Sequence, residues 1–147
     1  MDNYLFAESA IAGRLAKALE PDKVPVECIG STDDIAASRH RYPCVYVLYA
    51  GDEVSETSAG RGEASRADQF WVASVCSANA GTLASGAAAR EEAGKIFMKV
   101  LKALQGFEIA SGRALTRVSC PLPVTYENGH MFMAAQFKLS IDVQGGL

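Results

Sequence analysis

The chain has 147 residues, 49% of them hydrophobic and 21% charged; that is ordinary for a globular protein long enough to bury about two-thirds of its unfolded surface. One domain spanning residues 1–147 is therefore expected, with no disulfide or metal needed to hold it. A net charge of −3 leaves no basic surplus for phosphates and argues against nucleic acid as the main partner, and no apolar run approaches the ~18 residues of a membrane span.

Asn3 to Leu19 reads as an amphipathic helix with Tyr4, Leu5, Ile11, Ala12, Leu15, Ala18 and Leu19 on one side, stopped by Pro21 and Asp22. Val24 to Ile29 is a short strand that breaks at Gly30. Ser31-Thr32-Asp33-Asp34 offers a capping hydroxyl and then two carboxylates, a good start for a short helix ending near Arg39-His40-Arg41. After Pro43, Cys44 to Tyr49 is apolar at every position, the pattern of a strand covered on both faces. Phe70 to Cys76 reads the same way.

Between these two strands lies Gly51–Arg66, sixteen residues rich in Gly, Ser, Ala and charge. It sets Asp52, Glu53, Glu56 and Glu63 against Arg61 and Arg66. It is expected to be a long polar loop, and loops of that length in compact domains are usually functional or disordered.

Thr82 to Leu104 is the main packing helix. Its stripe of Ala89, Ala93, Ile96, Phe97, Val100, Leu101 and Leu104 has helical spacing, opposite Arg90, Glu91, Glu92, Lys95, Lys99 and Lys102. Arg113 to Cys120 is strand-like, but Pro121 and Pro123 confine it to an edge or a bulge. Asn128-Gly129 signals a hairpin turn into His130–Val143, where apolar and mostly polar residues alternate strictly. The elements add up to an α/β fold of the α+β type. One mixed or antiparallel sheet carries two main amphipathic helices and the long polar loop.

The residues that could carry chemistry are scattered. Cys28, Cys44, Cys76 and Cys120 contain no CxxC pair, and Met1-Asp2-Asn3-Tyr4 lacks the pattern of a signal peptide, so reduced core thiols are expected in preference to disulfides. His40 between two arginines and His130 after the turn read as surface and turn residues, and no metal-ligand spacing surrounds either. No Gly-x-Ser-x-Gly elbow positions a nucleophile. Gly60-Arg61-Gly62 and Gly94-Lys95 lack the remaining residues of phosphate-binding motifs. With no catalytic set, function is expected to lie in a surface, and the charges Asp52, Glu53, Glu56, Arg61, Glu63 and Arg66 are the candidate partner contacts.

Taken together, the chain resembles the tail terminator (tail completion) proteins of long-tailed bacteriophages. The resemblance rests on the N-terminal helix, then Arg41-Tyr42-Pro43-Cys44-Val45-Tyr46-Val47 as an inner strand, then a long polar stretch and Phe70-Trp71-Val72. Ala89-Arg90-Glu91-Glu92-Ala93 in the long helix and the C-terminal hairpin complete it. It implies a structural virion protein, not an enzyme, with no cofactor. Such a protein closes the head-proximal end of the tail tube as a ring, commonly a hexamer, and ends tube growth. The implied partners are further copies of itself, the tail tube protein and the head–tail neck protein, with no membrane and no sequence-specific nucleic acid. Assembly in the host cytoplasm and a place in the virion tail follow from the same resemblance. The competing readings are a small α/β ligand-binding domain or enzyme with residues 51–66 as a lid, and another phage neck or tube protein.

Overall fold

The computed structural model describes residues 3–30, 43–57, 62–78, 83–127 and 129–146. Helix α1 (Ala7–Leu19) spaces Ala7, Ile11, Leu15 and Leu19 four apart and buries all of them. It begins later than Asn3 because Asn3 makes a turn of its own: its Oδ1 accepts from the Leu5 N–H at 3.0 Å. A 3-10 turn (Glu20–Asp22) with Pro21 ends the helix. Strand β1 (Val26–Ile29) follows. The short helix expected after Ser31, with Arg39-His40-Arg41 at its end, lies outside the described residues.

Strands β2 (Cys44–Thr57) and β3 (Ala64–Ser77) come next, then helix α2 (Leu83–Leu104). β4 (Glu108–Ala110) and β5 (Arg113–Ala114) make a small ribbon. β6 (Thr116–Val118), β7 (Thr125–Glu127) and β8 (His130–Gln144) finish the chain. The main sheet has the order β1-β2-β3-β8-β6, with β7 also on β8. It is mixed: β1 runs parallel to β2 and the other pairs are antiparallel. The expected strand over Arg113–Cys120 is thus split, its first part pairing with β4 and its second forming the sheet edge ahead of Pro121.

Both helices lie on one face of the sheet. The odd-numbered residues of β3 and β8, among them Trp71, Ala73, Val75, Ala135, Phe137, Leu139 and Ile141, meet Ile11, Leu15, Leu19, Ala93, Ile96, Val100 and Leu104 there. Each fully buried large side chain of this set contributes about 1.5–3 kcal/mol relative to exposure. On α2, Glu91 pairs with Lys95 at 3.2 Å on the solvent side, and Lys99 reaches Asp22 in the turn after α1. The opposite face of the sheet holds a smaller cluster of Cys44, Tyr46 and Cys76, flanked by Ile29 and Phe132. That second cluster is why β2 and β3 are apolar on both sides.

The expected long loop is not a loop. β2 continues to Thr57 and β3 begins at Ala64, so Asp52, Glu53, Glu56 and Arg66 stand in paired strands and only residues 58–61, Arg61 among them, fall outside the described residues. Two irregularities in register, between Tyr49 and Asp52 and between Val54 and Glu56, accommodate the extra residues. Gly51 takes φ 99° at the first of them, a conformation open to glycine.

All four cysteines are free, but only Cys44 and Cys76 are the buried core thiols expected; Cys28 is exposed and Cys120 half-buried. Cys44 and Cys76 face each other in register, and the Cys44 contact and burial push the Cys76 thiol up. Local burial and then the neighbouring Glu8 raise Cys28 to about 11, so it is a poor nucleophile near neutral pH despite its exposure. Brief alkylation of the native protein at pH 8, read by peptide mass spectrometry, should label Cys120 first, Cys28 slowly, and Cys44 and Cys76 only on unfolding. Glu8→Gln should speed labelling of Cys28. Early labelling of Cys76 would contradict the packing of the second cluster.

Candidate functional site

Beyond the row formed by Tyr49, Trp71 and Phe137, β2, β3 and β8 continue together as a three-stranded arm. Along it the helical cover thins. Ala67 and Ile141 are still buried, but Val54, opposite Ala67, is 59% exposed and Val143, opposite Ser65, is 43% exposed. With little apolar burial available on either face, the arm is held by its backbone ladder and by charge.

Arg66 in β3 binds Asp142 in β8 at 2.7 Å, and Asp142 also takes Arg113 from β5. Arg66, one of the expected partner contacts, makes this ion pair on the exposed surface of the arm, where it ties β3 to β8. Glu63 leads into β3, and its carbonyl accepts from the N–H of Gly145. A Cβ at position 145 would stand 2.9 Å from that oxygen, so the end of β8 approaches the arm only as glycine.

At the base of the arm, Gln69 is fully buried between Ala67 and Trp71 on the helix-facing side of β3, with Asp52 opposite it on β2 and Leu139 on β8. Its amide N–H donates to the Tyr4 carbonyl at 2.6 Å, and its carbonyl accepts from the Trp71 indole N–H at 3.1 Å. The Tyr4 hydroxyl donates to Asp52 at 2.6 Å. Burial first, and then the Asp52 carboxylate, push that hydroxyl up to about 12, so it stays a donor throughout the neutral range. The N-terminal turn is thereby pinned to the arm from two sides. Gln69 was missed in the sequence; a lone amide at a buried strand position was its only signal.

Glu53 faces Asp68 across the ladder, and Asp68 in turn accepts from Ser140 Oγ at 2.7 Å. Glu56 stands opposite Arg66 in register. The structure therefore collects Asp52, Glu53 and Glu56 on the outermost strand of the arm, while Arg66 belongs to its middle. β1 and β2 carry Glu27, Asp52, Glu53 and Glu56 and no lysine or arginine. Among the described residues no three His, Cys, Asp or Glu side chains gather as a metal site would require, and no helix is long and apolar enough to cross a membrane. The lid reading loses its basis, because the segment assigned as a lid is mostly ladder-bonded strand. His130 opens β8 half-buried instead of lying in the solvated turn, and His40 is outside the described residues.

The sequence matches the profile of the phage tail terminator protein family over residues 1–145. The chain belongs to the phage tail terminator family. Among solved structures it is similar to a chain in the virion of a native gene transfer agent particle. The TM-score is 0.56 at 16% identity, over 96% of this chain and 100% of that one, which establishes a shared fold. A second similarity, to the gp17 protein of bacteriophage SPP1, has a TM-score of 0.37 at 19% identity over 99% of both chains. No curated protein matches the sequence. As a tail terminator family member, the chain is a tail-associated structural protein of the virion. The stretches that suggested the family fall on ordered core: Cys44–Val47 on β2 and Phe70–Val72 on β3, whereas Arg41 and Tyr42 are outside the described residues.

Proposed function

We propose that this protein caps the head-proximal end of a tail tube as a hexameric ring, ends tube polymerisation and offers the neck of the head its docking surface, assembling in the host cytoplasm. The observation that carries the reading is the arm, a three-stranded extension whose outer strand is acidic and whose apolar residues Val54 and Val143 stay exposed. A growing tube stops when its last ring is covered by a subunit that cannot propagate the lattice. Such a cap needs surfaces of defined register, and a strand arm fixes register better than a flexible loop. Mixed charge along it selects partners by complementary potential without a large apolar area. On this reading Asp52, Glu53, Glu56, Arg61 and Glu63 contact other virion subunits, while Arg66 keeps the arm in shape.

Deleting the gene from a tailed particle that carries it should give tails of uncontrolled length or tails that never join heads, seen by electron microscopy, and almost no infectious particles. Closing the hairpin after Glu53 and before Asp68 with a two-residue Asn-Gly turn should keep the circular dichroism spectrum and still fail to restore tail completion. Normal tails from the deletion would overturn the reading. Full rescue by the shortened hairpin would remove the arm's part in it.

A further inference from the structure

The two edges of the main sheet differ in charge and in apolar exposure. On one side β1 covers β2 only from Val45 to Leu48, so residues 49–57 of β2 meet no described strand along their outer edge. β2 contributes Asp52, Glu53 and Glu56 and β1 contributes Glu27, and neither strand contains a lysine or arginine. On the other side β6 and β7 lie along β8. Among the described residues, Arg117 on β6 and Lys138 on β8, opposite Thr116, bond to no carboxylate; the Arg117 guanidinium lies over the Phe97 ring at 5.7 Å, and β7 ends in Glu127. The adjoining segment exposes Leu122, Val124 and Tyr126, half of the large apolar side chains exposed among the described residues.

An unpaired strand edge is a template for another chain, and bulges and charge are the usual guards against that. Here the guards are selective. Two β2 edges brought together would set carboxylate against carboxylate, which is destabilising, whereas the β6–β7 side carries Arg117 and Lys138 against the single acidic residue Glu127, together with apolar cover. Unlike edges on opposite sides of one subunit make a head-to-tail contact, and repeating it produces a ring when the rotation closes.

We propose that copies of this chain associate edge to edge, the acidic β2 edge of one copy seating on the β6–β7 edge of the next. This deepens, and rests on, the ring reading above, with a second copy of the chain as the occupant. Arg117 and Lys138 face the β2 carboxylates, and Leu122, Val124 and Tyr126 supply the apolar part of the contact.

The test uses the full chain in sedimentation velocity and native mass spectrometry over a concentration series. Glu53→Lys/Glu56→Lys alters one edge and Val124→Asp/Tyr126→Asp the other, at positions that leave the main core intact. Each variant alone should keep the wild-type melting temperature within a few degrees and require at least tenfold higher concentration to associate. Mixed in equal amounts, the two variants retain one intact edge of each kind, so they should form a one-to-one heterodimer and stop there. Three results would overturn the proposal: a wild-type chain that is monomeric throughout, variants that assemble like wild type, or a folded mixture that stays monomeric. A deletion phenotype with normal tails would instead overturn the capping reading and leave the edge contact standing.

Discussion

Truncating Trp71 to alanine is expected to lower the unfolding free energy by about 3–5 kcal/mol, the usual range for deleting a buried aromatic. Trp71 is 1% exposed on β3, between its ladder partners Tyr49 on β2 and Phe137 on β8. Its ring lies 5.0 Å from that of Tyr49 at 48°, a tilted packing that adds to the area it buries. The truncation removes these contacts, leaves a cavity under α1 and α2, and orphans the Gln69 carbonyl. Against a total stability of roughly 5–15 kcal/mol this is a large fraction, and for a chain of this size it corresponds to a fall in Tm of roughly 10 °C. Urea unfolding followed by circular dichroism should show a lower midpoint with an unchanged slope. Fluorescence cannot be used for the variant because Trp71 is the one tryptophan in the chain. A loss under 1 kcal/mol would mean that the helices close over the gap and that the centre of the sheet is not the main store of stability.

Replacing Gln69 by alanine should cost about 2–4 kcal/mol by a different route. Little apolar area is lost, but the Trp71 indole N–H and the Tyr4 carbonyl each lose their partner, and a buried polar group left unsatisfied costs about 1–3 kcal/mol. The damage should also be local. With the Gln69 amide gone, the N-terminal turn keeps only the Tyr4–Asp52 bond to the arm. Hydrogen exchange at Phe6 and Glu8, whose N–H groups donate to Asn3 and Leu5, should therefore accelerate more than exchange within β8. Trp71→Phe removes the indole donor while keeping a ring, so Gln69→Ala should cost less in that background, by about 0.5–1 kcal/mol or more if the two groups couple. Equal costs in both backgrounds would show that the indole bond contributes little.

The two substitutions act on the base of the arm, and that is where fold and function meet. A core defect at Trp71 or Gln69 tilts or loosens the strands that carry the acidic edge without touching that edge. Loss of assembly in these variants should thus track loss of stability, whereas the edge variants should lose assembly with stability unchanged.

The sequence by itself determined the two helices, the central strands, the strict alternation of β8 and the edge position before Pro121. In each of these one face is buried, and burial writes a period of 3.6 or 2 into the apolar residues. It also carried the family, through the order of those same elements. Tertiary structure decided what the period cannot report. Residues 51–57 and 64–66 form strands although neither face is apolar enough to show it, because strand pairing satisfies backbone groups and leaves no mark on side-chain polarity. The ion pair of Arg66 with Asp142 joins residues 76 positions apart, beyond the reach of any local pattern. The division of the thiols into buried Cys44 and Cys76 and accessible Cys28 and Cys120 came from which strands pair. The opposed character of the sheet's two edges appeared only once β2 and β6, distant in the chain, were set at opposite sides of one sheet.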